Sequence, residues 1–187
     1  MIRHGESTWN AEHRWQGWLD SPLTPTGEAQ AADRARALAH ESFAPRALYT
    51  SDLERAARTA EIIAAHVESP VITEPGFRER NGGEWQGLTG AEIEERWPGM
   101  RAALRRGEIA AMPGGEDDGE VLARFDAALK GVLAHVGIGV VGIVTHHGIL
   151  RLVATRAGAD VPTLIPNLGG YWFDIVDGAL ASPEPLE

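Results

Sequence analysis

Stretches of apolar residues at helical spacing alternate along this chain with short continuous apolar runs, and that alternation predicts its architecture. Residues 26–40 are alanine-rich with apolar side chains at helical spacing, a helix that Thr24 or Thr26 could cap. Residues 47–50 are a short apolar run suited to a buried strand. Residues 52–67 predict a second helix, with Asp52 near its start and Pro70 beyond its end. Residues 70–73 are β-like, and 76–88, rich in Gly and polar side chains, predict a loop. The helical pattern over 89–106 is interrupted at Pro98-Gly99. A turn-rich acidic loop over 112–119 leads into an amphipathic helix at 120–136. Residues 140–145 are the clearest buried strand, and 148–157 the helix after it. Near the end, 171–176 and 179–181 flank Asp177-Gly178, a pair that favours the tight turn of a hairpin.

Strands alternating with helices imply a mostly parallel sheet covered on both faces, a three-layer α/β/α sandwich. Functional residues of such sheets gather beyond the carboxyl ends of the strands. Arg3-His4, Ser51 and His146 each follow an apolar stretch and are expected to converge there. No repeat, low-complexity block or linker divides the chain. A single domain over residues 1–187 is expected.

Composition narrows the chemistry. The 187 residues are 43% hydrophobic and 24% charged, as in an ordinary globular domain with a substantial core. A net charge of -10 argues against a general nucleic-acid binder, but not against an anionic substrate, because local Arg and His decide the field inside a pocket. With no cysteine, neither a disulfide framework nor a thiolate nucleophile is possible. No apolar run reaches membrane-spanning length and no signal-peptide pattern precedes the first motif, so a cytoplasmic protein without a membrane partner is expected.

The most informative residues are Arg3-His4-Gly5-Glu6. Imidazole is a good nucleophile near neutral pH, a neighbouring guanidinium can hold phosphate oxygens through paired hydrogen bonds, and glycine lets backbone approach an anion. Alone the tetrapeptide is weak; with Asn10, Arg55, Glu79 and His146 it becomes strong.

Taken together these segments resemble the histidine phosphatase superfamily, which includes the cofactor-dependent phosphoglycerate mutases. Arg3-His4-Gly5-Glu6-Ser7-Thr8-Trp9-Asn10 is similar to its opening signature, and residues 16–24 to the segment that follows. Ser51-Asp52-Leu53-Glu54-Arg55-Ala56 resembles its second arginine motif, residues 79–87 its acid loop, and Thr145-His146-His147-Gly148 its second-histidine motif. The resemblance implies a phosphoglycerate mutase-like fold with a small cap-like insertion around 80–118, and a metal-independent phosphatase with no cofactor. His4 would be the nucleophile, transiently phosphorylated. Arg3 and Arg55 would clamp the phosphoryl oxygens, Asn10 would donate a further hydrogen bond, and His146 would be the second imidazole. Glu79 would protonate the leaving oxygen and activate water, with Glu84 and Glu116 as weaker candidates. Glu6 would hold Arg3 or a nearby amide, and Arg58 would be a surface residue paired with acids. His146 is preferred to His147 because the usual His-Gly-Gly-x-x-Arg run aligns with residues 146–151, so that His147 replaces a glycine. His147, Gln16 and Gly17 are candidate pocket residues, and Trp15 or Trp18 could line the substrate mouth.

Within the resemblance, three substitutions separate hydrolysis from mutase chemistry. The mutases usually carry a lysine where this chain has Gly90, a threonine where it has Gln16, and an aromatic where it has Gly82. Loss of these groups is expected to weaken the hold on a three-carbon phospho-acid, and the Pro113-Gly114-Gly115-Glu116 loop resembles the phosphatase branch. A small phosphorylated metabolite is the expected substrate, sugar phosphates and phosphoglycerate-derived glycosides among them. A phosphoglycerate mutase is the alternative, and a catalytically silent phosphate-ligand or protein-binding module a weaker one. A metal hydrolase is weaker still, because His146 and His147 are adjacent and lack the spacing that presents two ligands on one helix face. One departure concerns the fold. Only Met1 and Ile2 precede Arg3, so either the first strand is very short or the sequence begins late within it; a strand truly this short would have few ladder bonds at the sheet's centre and is expected to be less stable than a version extended by apolar residues.

Overall fold

The computed structural model describes residues 1–40 and 44–186. Its four-stranded parallel sheet comprises β1 (Ile2–Arg3), β2 (Leu48–Thr50), β3 (Val71–Thr73) and β4 (Gly142–Thr145), in the order β1-β4-β2-β3. Every residue of β1, β2 and β4 is buried, because helices cover both faces of the sheet. On one face α2 (Pro25–His40) and α3 (Glu54–Val67) pack Ala31, Ala35, Leu38, Ala56, Ala60 and Ile63 against Ile2, Leu48 and Val144. On the other, α6 (Asp118–Val136) and α7 (His147–Arg156) bring Val121, Phe125, Leu129, Ile149 and Val153 to Tyr49 and Ile143. The period-two switch from Leu48 to Tyr49, and from Ile143 to Val144, sends neighbouring side chains to opposite cores. The three-layer architecture follows from that pattern.

Local signals set several boundaries. Thr24 caps α2, its Oγ1 accepting from Gly27 N at 3.0 Å, with Pro25 in the first helical position. Asp117 caps α6 through a reciprocal box with Glu120, so the helix begins at Asp118, two residues earlier than the sequence pattern suggests. Asp52 does not cap α3; its carboxylate pairs with Arg78, whose Nε lies 2.7 Å from Oδ1. A four-residue helix, α1 (Thr8–Ala11), was not anticipated, although Ser7 and Asn10 at cap and third position form the box that starts it. The pattern over 89–106 becomes α4 (Gly90–Arg96) and α5 (Met100–Arg105), broken at Pro98-Gly99 as expected. The stretch 76–88 contains two short 3₁₀ turns. Trp85, Ile93 and Met112 form a small core of their own there, packed by Trp15, Trp97 and Leu104.

β1 does not stand at the centre of the four-stranded sheet; it lies at one end of it. Its outer edge is nevertheless paired, since Arg3 N donates to Gly169 O and Tyr171 N to Met1 O. This contact leads into a separate antiparallel hairpin of β5 (Tyr171–Val176) and β6 (Ala179–Pro185), turned by Asp177 and Gly178, both with positive φ. No helix among the described residues is long and apolar enough to cross a membrane.

Candidate active site

Register brings the two sequence-distant histidines together. In the parallel pair β1–β4, Arg3 stands opposite Thr145, so the next residue of each strand, His4 and His146, emerges at the same carboxyl edge. His4 N donates to Thr145 O at 3.0 Å, and the imidazole centroids are 5.1 Å apart. Both rings are buried. Arg3, at the end of β1, and Arg55, in the first turn of α3 after β2, are buried in the same region. Arg55 is held by a loop bent around it: Nη2 donates to Gly17 O at 2.8 Å, and Nη1 to Leu19 O at 3.1 Å and Asp20 Oδ1 at 3.3 Å. Gly17 takes a left-handed φ of 55° there, and a Cβ would lie 2.2 Å from Gln86 Oε1. Arg3 Nη1 is fixed on Ile165 O at 2.5 Å.

Glu79 reaches the group from the loop after β3. One carboxylate oxygen accepts from Gly148 N at 2.9 Å, in the first turn of α7, and the other from Arg80 N at 2.8 Å. The Glu79 carbonyl accepts from the Trp18 indole at 2.7 Å, while Arg78 lies over the Trp18 ring at 5.1 Å. The Glu79 carboxylate therefore stands next to His146-His147-Gly148 through a backbone bond, not a side-chain pair.

Electrostatics prepare the imidazoles as neutral groups. Burial, then Arg55 and Arg3, holds His4 well below the ordinary histidine value. His146 is lowered in the same way, by burial first and then by Arg55, His4, Arg124 and Arg3. Burial also lowers His147, with Glu79 opposing it. His4 Nδ1 lies 2.7 Å from Gly5 O, an acceptor, so in the neutral ring Nδ1 carries the hydrogen and Nε2 the lone pair. Around it, Arg3 Nε, Arg55 Nε, both nitrogens of His146 and Nδ1 of His147 are buried without a hydrogen-bond partner among the described residues. Such unpaired polar atoms are costly in a folded protein, and the N–H donors among them, beside two fixed guanidinium groups, suit a multivalent oxyanion.

Other expected residues take more local roles. Asn10 Oδ1 accepts from Ser7 N at 3.2 Å in the α1 capping box, a use that does not engage its Nδ2 donor. Gln16 Oε1 accepts from Ser7 Oγ at 2.9 Å and Ser21 Oγ at 3.2 Å. Glu6 does not hold Arg3; its Oε1 accepts from Thr24 Oγ1 at 2.7 Å, tying the first motif to the start of α2. Glu84 is exposed, and Glu116 is engaged by Arg124 at 2.8 Å. Arg58 pairs with Glu28 and Glu61 on the surface, as expected. Trp15 packs edge-on against the buried Trp85. Sequence reasoning missed Asp20 and Arg124. Asp20 lay within a matched segment, whereas nothing in its helical context distinguishes Arg124 from a surface arginine.

The sequence model of the histidine phosphatase superfamily (branch 1) matches residues 1–168. The chain belongs to that superfamily. Among its superfamily relatives, a metal-independent phosphoserine phosphatase of Arabidopsis thaliana is 38% identical, over 83% of this chain and 66% of its own length. A probable phosphoglycerate mutase, GpmB, of Photorhabdus laumondii is 39% identical over 84% of this chain and 74% of that protein. In structure, the mycobacterial glucosyl-3-phosphoglycerate phosphatase solved with VO3 superposes with a TM-score of 0.79. It is 33% identical, and the match covers 90% of this chain and 88% of the other. The superfamily fold is thus the phosphoglycerate mutase-like sandwich expected from the sequence.

Proposed function

We propose that this histidine phosphatase is a metal-independent phosphomonoester hydrolase acting on a small phosphorylated metabolite through a phosphohistidine at His4. The observation that carries this reading is the neutral His4, its Nε2 lone pair free, among buried nitrogens that lack partners. Nε2 attacks phosphorus, and the bond to the ester oxygen breaks. Arg3, Arg55, His146 and Asn10 take the phosphoryl oxygens, compensating the charge spread over them in the transition state. Glu79 gives its proton to the departing alkoxide, which leaves as an alcohol. Glu79 then removes a proton from water, which attacks the phosphorus and breaks the P–N bond. Phosphate leaves and His4 regains its lone pair.

Support for hydrolysis over isomerisation comes from the substitutions at Gln16, Gly82 and Gly90, and from relatives named as phosphatases. Residues 80–118, with their separate small core, are proposed as the cap that selects the organic part of the ester. Gln16, Gly17 and His147 stand on the pocket side of that reading. Composition fits a cytoplasmic enzyme. Mutase activity is the second reading, favoured by the relative named as a probable mutase.

The test is phosphate release from a panel of phosphomonoesters, 3-phosphoglycerate included, by wild type and His4→Ala in the presence of a chelator. Release that His4→Ala abolishes supports the hydrolase. Isomerisation of 3-phosphoglycerate with a bisphosphoglycerate primer, without net phosphate release, supports the mutase instead.

A further inference from the structure

Arg124 lies on α6, outside the reacting group, yet all five of its N–H donors are committed around the acid loop. Nη1 donates to Gly76 O at 2.9 Å and Arg78 O at 2.7 Å. Nη2 donates to Glu79 O at 2.9 Å and to Glu116 Oε2 at 2.9 Å, and Nε to Glu116 Oε1 at 2.8 Å. Glu116 is itself tied to the loop, since its Oε2 accepts from Asn81 N at 2.7 Å and its own N donates to Asn81 O at 3.1 Å. The remaining carbonyl of the run, Phe77 O, accepts from Thr145 Oγ1 at 2.9 Å. From residue 76 to 79 the chain thus has its carbonyls taken by side chains, in a segment with no strand ladder to fix it. A rigid fork bound to a carboxylate on one side and three carbonyls on the other defines that path closely.

We infer that Arg124, oriented by Glu116, is the positioning residue of the reaction, setting the backbone of Glu79 so that its carboxylate meets the leaving oxygen. The inference rests on the proposed role of Glu79 as the acid. It also gives the 113–116 loop a function: through Glu116 the loop completes the clamp on the acid. Lysine at 124 keeps the charge but has a compact head that cannot span both sides, and glutamine at 116 keeps the shape but weakens the grip on the fork.

The experiment compares wild type, Arg124→Lys and Glu116→Gln on an alkyl phosphate, whose leaving oxygen needs a proton, and on p-nitrophenyl phosphate, whose leaving group needs little help. A displaced acid is expected to lower kcat/KM for the alkyl ester by about 10- to 100-fold. For the aryl ester the expected loss is within about threefold, because general-acid assistance matters least for a good leaving group. Inhibition by inorganic phosphate should not change. A parallel fall on both esters, or no fall on either, would overturn the inference. If Arg124→Lys does not fold, as judged by its thermal midpoint, Glu116→Gln gives the same readout. Wild type hydrolysing neither ester would overturn the phosphatase reading, and this inference with it.

Discussion

Gly148 shows how narrowly single residues set this site. Its N–H holds the Glu79 carboxylate at 2.9 Å, and a Cβ at this position would stand 2.4 Å from Glu79 Oε1. Gly148→Ala is therefore expected to push the acid aside while leaving the sheet intact. Phosphate release from an alkyl ester should fall by about 10²-fold with little change in thermal midpoint, since misplacement of about 1 Å costs that much. Circular dichroism melts beside initial rates check this; unchanged rates would show that the acid tolerates the shift. At His4 the expectation is more severe. His4→Ala removes the proposed nucleophile and should lower turnover by about three orders of magnitude or more, as loss of a covalent catalyst does elsewhere. Quenched reactions should then contain no acid-labile phosphoprotein. Asn10 has its oxygen in a helix cap, a use that leaves its amide nitrogen outside that cap.

Among the described strands, β1 is the shortest. Two residues pair with β4, and Met1 with Tyr171. Beyond Met1 lies a cleft of about 730 Å³ between β4, α6 and the hairpin, lined in part by Leu129, Leu133, Val136, Ile143, Phe173 and Leu180. Ile138 and Val140 on its rim are 93% and 48% exposed. The cleft shares no residue with the group around His4 and His146. An extended apolar segment of about four residues joined to Met1 would run parallel to β4 and antiparallel to β5, filling the strand ladder between them. Such an extension is expected to raise stability by about 2 kcal/mol, the worth of one or two newly buried aliphatic side chains. For a chain of this size that is about 4–8 °C in thermal midpoint. A Gly-Ser extension of equal length serves as control, and equal midpoints for the two would contradict the expectation.

For the molecule as a whole, the same burial that readies the imidazoles makes folding depend on pH. His4 and His146 are held well below the ordinary histidine value in the folded state. Below about pH 6.5 the unfolded chain takes up protons that the folded chain refuses, so stability falls with the pH. The loss begins near 6.5 and continues down to the lowered folded values, each imidazole contributing at most about 1.4 kcal/mol per pH unit. Denaturant melts between pH 7 and 5 should show it, and His4→Gln should flatten the slope by about that amount. A slope unaltered by the substitution would mean that His4 is already charged in the folded protein.

The layers and most element boundaries were already legible in the sequence, as were the candidate residues of the proposed site. The reason is local: helical and strand periodicities write themselves into neighbouring residues, and Arg3-His4 and His146 each end an apolar run. What it left undecided depends on partners far along the chain. That His4 faces His146 follows from the register of β1 on β4. The place of β1 at one end of the parallel sheet, and its pairing with residues near 170, follows from which strand fills each position. Asp52 could have capped a helix, and Glu6 could have held Arg3, until packing brought Arg78 and Thr24 closer to them. Arg124 is the extreme case. Its five bonds reach residues 8 to 48 positions away, so its role exists only once the chain has folded.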